Sequence, residues 1–383
     1  MIGQIALSAI LLVAAGLFAH TLLNLNRIPL GFQADHVLLF RLEPPRTRYS
    51  DTQMISLYQK LEEKLAAIPG VRSATMSVIA IVGDGHSGST FHISDRPLEK
   101  DAVRVQTNGV GVAFFQTMGI PILRGRAFNT GDTASSPKVA VVNAALARKF
   151  FPHQNPIGQT FEADAEDVKG PIEIVGVAAD TRYADMRSPT PPTFYVPYQQ
   201  KLDAGRMVIE LRTVATPGSV LAEARAAVES LDRDLPLIDV RTMKQQVRST
   251  FADEQALAQL TGCFSLLALA LACIGIYGIM AYTVTARTGE IGLRIALGAT
   301  MAQVVGRILR EAFRLAGLGI LIGLAASLWL ARFIGAMLYG LGVADPLTLG
   351  ATALLLTSVS LLAAFAPARR ASHIDPIRAL RHD

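Results

Sequence analysis

The chain has 383 residues, 51% of them hydrophobic, with a mean hydropathy of +0.36 and a formal net charge of +5. So much apolar sequence exceeds what the core of one soluble domain uses, and it points to a membrane. Cys263 and Cys273, the only cysteines, sit in one apolar run with no metal-ligand partners, which excludes a disulfide framework and a metal site.

A helix crosses a hydrocarbon core of about 30 Å in roughly 20 residues. Four segments meet that requirement: residues 1–23, 255–285, 312–336 and 346–366. The first lacks a basic n-region and a small-x-small cleavage site, so it reads as an uncleaved anchor and not as a signal peptide.

Residues 24–254 follow. "HVLLFRL" (His36–Leu42) reads as a strand, Ser50-Asp51 opens a helix over about Gln53–Ala67, and a second strand falls near Ser73–Ala80. The pattern returns in "RMVIELRT" (Arg206–Thr213), a helix from Gly218-Ser219 to about Leu231, and a strand near Leu237–Arg241. The two stretches, about 36–80 and 206–241, make a split βαβ unit. Residues 82–205 between them read as an inserted, mainly-β subdomain. It contains a strand and helix from "KVAVVN" into "AALARKFF", a strand in "IEIVGVAAD", and a proline-rich turn, "SPTPPTFYVP", leading to an edge strand.

No catalytic constellation is visible, and an enzyme is not expected. "GDGHSGS" (Gly83–Ser89) holds an Asp, a His and two Ser, but a hydrolytic triad is assembled from separate elements, so a solvated turn is the better reading. There is no His-Glu-x-x-His and no Gly-Lys dipeptide, hence no zincin helix and no phosphate-binding P-loop. No cofactor is expected, and if ATP drives this protein, another chain binds it.

Charge sets the orientation. Residues 24–254 hold 26 Lys+Arg and 26 Asp+Glu, so the excess lies elsewhere. Residues 286–314 carry Arg287, Arg294, Arg307, Arg310 and Arg314 against Glu290 and Glu311, and the tail, 367–383, has four arginines against two aspartates. By the positive-inside rule both segments and both termini are cytoplasmic, and residues 24–254 are extracytoplasmic. Nucleic acid is not an expected partner, because these arginines flank spans and lack interleaved aromatics.

The segment 286–311 carries "ARTGEIGLRIALGAT". The second span is expected to continue into it. Glu290 and Arg294 are spaced i,i+4 in the favourable order, Ile291 and Ile295 lie beside them, Gly298 stops the helix, and Thr300 with Gln303 restarts one. The pattern fits a surface helix held by membrane lipid or a docking element for a cytoplasmic partner; periodicity alone leaves both open.

"RTGEIGLRIALGATMAQVV", "LYGLGVADPLTL" and "PARRASHIDPIRAL" resemble the FtsX/MacB-like permease family of ABC transporters, as do "FFQTMGIPILRGRAFNTGD", "VAVVNAALARKFFPHQNPIGQTF" and "IEIVGVAADTRYADM" in the outer segment. The resemblance spans nearly the whole chain and is strongest to the C-terminal module of duplicated permeases of the ADOP type. It implies an integral membrane α-helical protein with four transmembrane helices and a large α+β extracytoplasmic domain, in a bacterial inner membrane. It implies that Glu290, Ile291, Gly292, Arg294, Leu297 and Gly298 couple to a cytoplasmic ABC ATPase, and that a second permease module completes a homodimer or pseudo-dimer. Gly319 and Gly323, as small-xxx-small, would permit close helix approach within or between subunits. The implied function is ATP-driven motion passed to the outer domain for export or extraction of a compound, peptide or lipoprotein. The alternatives are a non-transporting transmitter acting on an envelope partner, or an inactive half of a duplicated permease.

Overall fold

The computed structural model describes residues 2–25, 28–83, 85, 87–93, 103–163, 170–182, 189–200, 205–297, 300–334 and 345–371. The chain forms two compact units, one of Met1–Arg27 with Phe251–Asp383 and one of Ile28–Thr250.

The Ile28–Thr250 unit begins with β1 (Val37–Leu42), α2 (Asp51–Ala66) and β2 (Val71–Ser77), α1 being the preceding helix Ile2–Leu25. It closes with β10 (Met207–Thr213), α5 (Leu221–Glu229), β11 (Ile238–Thr242) and α6 (Met243–Ser249). These strands pair antiparallel in the order β11-β1-β10-β2, the interleaving of a split βαβ fold. Local sequence explains α2. Gln53 N donates to Ser50 Oγ at 3.4 Å and Ser50 N donates to Gln53 Oε1 at 2.9 Å, a reciprocal capping box. Met54, Leu57, Tyr58, Leu61 and Leu65 then recur at helical spacing and share one core with Phe40, Met76, Ile209 and Leu211 of the sheet. Ser50→Ala is expected to cost about 1 kcal/mol. The check is the melting temperature of the full chain in detergent, expected to fall by about 2–4 °C for the transition of this unit; no change would show that the cap is dispensable.

The opposite face of β10 is polar and also buried. Glu210 is fully buried; Ser77 Oγ donates to its Oε1 at 2.7 Å, and its Oε2 has no hydrogen-bond partner among the described residues. Thr75, directly across the ladder, is likewise buried with an unpartnered hydroxyl. Burial pushes the Glu210 carboxyl up to about 8, opposed by the Ser77 hydrogen bond and reinforced by Glu62. Glu62, on α2, is raised to about 7, chiefly by burial and then by Glu63. Arg212, two residues further along β10, donates to the carbonyls of Thr117, Asp35 and Gln33 at 2.6, 3.0 and 2.9 Å. That ties the strand to α3 (Phe114–Met118) and to the segment before β1.

Between the two halves lie β3 (Gly88–Ile93), β4 (Val103–Val110), β5 (Ile122–Gly125), β6 (Val139–Asn143), α4 (Ala144–Phe150), β7 (Thr160–Ala163), β8 (Ile172–Ala178) and β9 (Thr193–Pro197). The expected subdomain is continuous with the main sheet through the pairing of Ser77 with Val110. Its strands also close on themselves: β4 pairs with β3, β3 with β7, β7 with β8, β8 with β6, β6 with β9, and β9 with β4. Phe91, Val105, Val142, Phe161, Ile174 and Phe194, one from each strand, form a single core cluster inside this ring, with Leu146 of α4 added to it. This corrects the expectation for "SPTPPTFYVP". β9 is not an edge strand; it is hydrogen-bonded on both sides and every one of its residues is buried. Pro191 and Pro192 precede the strand and Pro197 is its last residue, so the interior of β9 keeps every N–H, which removes the usual bar to a central position. In "GDGHSGS", Asp84 and His86 lie outside the described residues, and Gly88-Ser89 opens β3.

The other unit consists of α1, α7 (Ala252–Ala286), α8 (Thr288–Ala296), α9 (Met301–Ile334) and α10 (Pro346–Ala371). Four of these, α1, α7, α9 and α10, are long and apolar enough to cross a membrane. Their bounds differ from the sequence expectation in an instructive way. α9 runs unbroken from Met301, so the helix expected to restart at Thr300 and Gln303 carries straight through residues 301–311 into the third span, ahead of the expected boundary at 312. α10 continues through Pro367 to Ala371, past the expected end at 366. A charge or a proline marks where an apolar run stops, but helix geometry persists beyond it while the backbone bonds are satisfied.

Small residues let these helices approach. Ile5, Ala9, Ile276, Ala312, Ala316 and Leu356 share one buried cluster, and Ser8 Oγ donates across to the Ala268 carbonyl at 3.0 Å. Just ahead of α10, Asp345 Oδ2 accepts from Thr348 Oγ1 at 2.5 Å and lies 3.2 Å from His20 Nδ1 of α1. The Thr348 hydrogen bond, followed by that of His20, holds the Asp345 carboxyl below its ordinary value.

Candidate functional site

α7 does not run on into the charged segment, as the sequence reading expected. It ends at Ala286, Arg287 takes a non-helical turn, and α8 starts at Thr288. The threonines help end it. Thr285 Oγ1 and Thr288 Oγ1 donate back to the Ala281 and Val284 carbonyls at 2.9 and 3.1 Å, competing with the main-chain ladder.

α8 is amphipathic, and its two sides have different surroundings. Ile291 packs toward Val284, Val304 and Ile308, joining the end of α7 to the start of α9. Arg287 Nη1 lies 3.3 Å from Glu311 Oε2, a second tie across the turn. Between these ties is a cavity of about 270 Å³ with an apolar wall that includes Met280, Val284 and Val304 and a rim that includes Arg287, Arg307 and Glu311. Arg294 Nη2 donates to Glu290 Oε1 at 2.5 Å, and this partly exposed pair also stands on the cavity rim. Leu293 is 50% exposed and Leu297, just past the end of the helix, 79%. Gln303 reaches back to Thr300 N at 3.0 Å, supplying the return half of a cap at the start of α9.

Of the residues singled out from sequence, Glu290, Ile291, Gly292 and Arg294 thus lie on α8, with Ile291 packed toward α7 and α9 and the Glu290–Arg294 pair on the rim of the same cavity. Gly298 lies outside the described residues, and of Ile295 only the backbone is described. Gly319 and Gly323 lie on α9 against α1. A Cβ at Gly323 would fall 2.5 Å from Ala9 Cβ and 2.7 Å from the Ala6 carbonyl oxygen, and one at Gly319 would fall 2.8 Å from Ile5 Cβ. Sequence reading missed Leu293 and the Arg287–Glu311 pair. The first was readable as an exposed apolar position between charges; the second joins the turn after α7 to α9 across 24 residues, which no periodicity announces. Among the described residues no group of His, Cys, Asp and Glu is placed to hold a metal ion.

Four membrane-crossing helices, a large α/β unit inserted in the chain between the first and second, and a short amphipathic helix between the second and third define a class of polytopic membrane proteins with one large domain outside the bilayer. Residues 1–231 match the MacB-like periplasmic core domain and residues 262–376 the FtsX-like permease C-terminal domain. The chain belongs to the FtsX/MacB-like family of ABC-transporter permeases. It is 28% identical over 297 residues to the macrolide export ATP-binding/permease protein MacB of Agrobacterium fabrum, covering 74% of this chain and 44% of that protein. To the MacB of Burkholderia lata it is 29% identical over 358 residues, covering 88% and 48%. The chain therefore spans about half the length of the curated relatives it matches. Among solved structures, it is similar to the periplasmic region of MacB from Actinobacillus actinomycetemcomitans, with a TM-score of 0.40 and 16% identity over 58% of this chain and 95% of that one. The extracellular domain of the transporter YknZ from Gram-positive bacteria gives a TM-score of 0.35 and 14% identity over 53% of this chain and 100% of that one.

Proposed function

We propose that this chain is the membrane-spanning subunit of an ABC transporter and that α8 receives the movement of a separate cytoplasmic ATPase. ATP binds that partner, and this chain needs no cofactor of its own. The termini and α8 lie in the cytoplasm, where the excess positive charge belongs, and the Ile28–Thr250 unit lies outside. Two such modules work as a pair in the lipid bilayer, and closure of the ATPases is passed through α7 and α9 to the outer units for export or extraction of a substrate.

The observation that carries this reading is the two-sided seating of α8. Its inner side is fixed to α7 and α9 by Ile291 and by the neighbouring Arg287–Glu311 pair, so a push on it moves both helices. Its outer side presents exposed Leu293 and Leu297, and the partly exposed Glu290–Arg294 pair stands on the rim of the cavity, an apolar and polar mixture suited to a protein surface. A helix merely floating on anionic lipid has no need of the second tie.

The test is co-expression of the tagged chain with the ATP-binding subunits of its own genome and purification in detergent. Glu290→Lys with Arg294→Glu retains an i,i+4 pair within α8 but reverses what the helix presents. We expect the unaltered chain to retain one ATPase and stimulate its ATP hydrolysis, and the double variant to lose at least about tenfold of the captured ATPase, roughly 1.4 kcal/mol or more of binding. Equal capture by both would remove α8 as the coupling element.

A further inference from the structure

A second site lies in the Ile28–Thr250 unit, on the strand ring. A groove of about 660 Å³ runs between β5, α4 and the turn 151–156. Its apolar surface includes Leu123, Ala147, Phe151 and Val177, and Pro152 and Pro156 bracket the turn. Its charged groups are all basic or imidazole: Arg124, Arg148 and His153, with no Asp or Glu among the residues that line it.

Asp180, at the start of α4, is already engaged. Asp180 Oδ1 accepts from Ala145 N at 2.7 Å, and Oδ2 accepts from Arg148 Nη2 at 2.6 Å, so this carboxylate anchors the start of α4 and steers Arg148. The C-terminal end of α4 accounts for basic residues at Arg148 and Lys149, since cations suit that end of a helix. It does not account for Arg124. That residue comes from β5, a short strand paired only with β8, and makes no ion pair among the described residues. Nor does it account for Leu123 beside it, an apolar side chain left 55% exposed. Cations drawn from two separate elements over a shared apolar floor, in a volume within the roughly 300–1,000 Å³ usual for small ligands, describe a recognition site.

We infer that this groove binds a small organic anion, its apolar body lying on Leu123, Phe151 and Val177 and its carboxylate, sulfonate or phosphate held by Arg124 and His153 with Arg148. Planar guanidinium suits such oxygens, and the apolar floor excludes water from the pair. The site is independent of the reading of α8.

The experiment uses the full chain in lipid nanodiscs and 2-naphthalenesulfonate as probe, followed by saturation-transfer NMR. The 2-naphthyltrimethylammonium ion serves as the matched cation, and protein-free nanodiscs as the blank. Saturable binding of the sulfonate below about 1 mM, at least about tenfold weaker binding of the cation, and a comparable loss in Arg124→Glu with His153→Glu are expected. Leu123→Ser tests the apolar floor and is expected to weaken the sulfonate severalfold. All three positions are exposed, so the variants keep the fold, checked by an unchanged melting temperature. No saturable binding to the unaltered chain, equal binding of anion and cation, or undiminished binding by the charge-reversed variant would each overturn the assignment.

Discussion

Gly323→Ala is expected to destabilise the helical unit, reversing the usual effect of that substitution. In an open helix interior, glycine to alanine gains roughly 0.5–1 kcal/mol through backbone entropy. At Gly323 the added Cβ would meet Ala9 Cβ at 2.5 Å, the Ala6 carbonyl oxygen at 2.7 Å and Ala6 Cα at 3.0 Å. Two of those atoms are backbone, so α1 must be displaced from α9, at an overpacking cost of about 1–3 kcal/mol or more. Gly317 is the internal control. It lies on the same helix with nothing within 4 Å of a built Cβ, and Gly317→Ala is expected to be neutral or stabilising. The measurement is the temperature at which the full chain in detergent loses its monodisperse elution peak. Gly323→Ala should fall well below the unaltered protein, with Gly317→Ala level with it or above. If the two variants behaved alike, the close contact of α1 with α9 would be wrong.

Glu210→Gln is expected to stabilise the outer unit and to do so increasingly as pH rises. Burial raises the folded carboxyl to about 8 from an ordinary 4.5, so between those values the folded chain holds a proton that the unfolded chain has released. Stability then declines as pH climbs through that window and levels off above it. At about 1.4 kcal/mol per pH unit, the burial costs on the order of 3–5 kcal/mol at pH 8. Glutamine keeps the shape, accepts the Ser77 hydrogen bond, never ionises, and can turn its amide toward the unpartnered Thr75 hydroxyl. Calorimetric melting of the full chain should show the variant roughly 10 °C higher for this unit at pH 8 and near the unaltered protein at pH 5. Glu62, raised to about 7, should leave the variant with a weaker residual slope of the same sign. A slope unchanged from that of the unaltered chain would mean that Glu210 is already ionised and solvated.

Buried carboxylates also show where sequence reading stops. "RMVIELRT" reads as a strand whether Glu210 faces solvent or a sealed interior, because the side-chain alternation gives two faces and does not say what covers them. The cover over this face is built in part by the distant segment around Thr117, to which Arg212 is tied. Leu297 and Ile291 differ in the same way: both are apolar residues of one short helix region, yet one is packed and the other bare, according to where α9 happens to lie.

Elements with local causes were legible in the chain: the four apolar runs, the helix start at Ser50-Asp51, the i,i+4 Glu290–Arg294 pair and the two strand–helix–strand stretches. Their signals are spacing, capping and length, all readable within a dozen or two residues. Long-range packing was needed to pair β1 with β10 some 170 residues away, to make β9 central in a ring closed with β4, and to set Gly323 against Ala6 and Ala9. It also turned Arg124 and His153, far apart in sequence, into walls of one groove. Those outcomes depend on which surfaces meet after loop closure, and a run of residues does not encode the identity of its distant neighbour in its own periodicity.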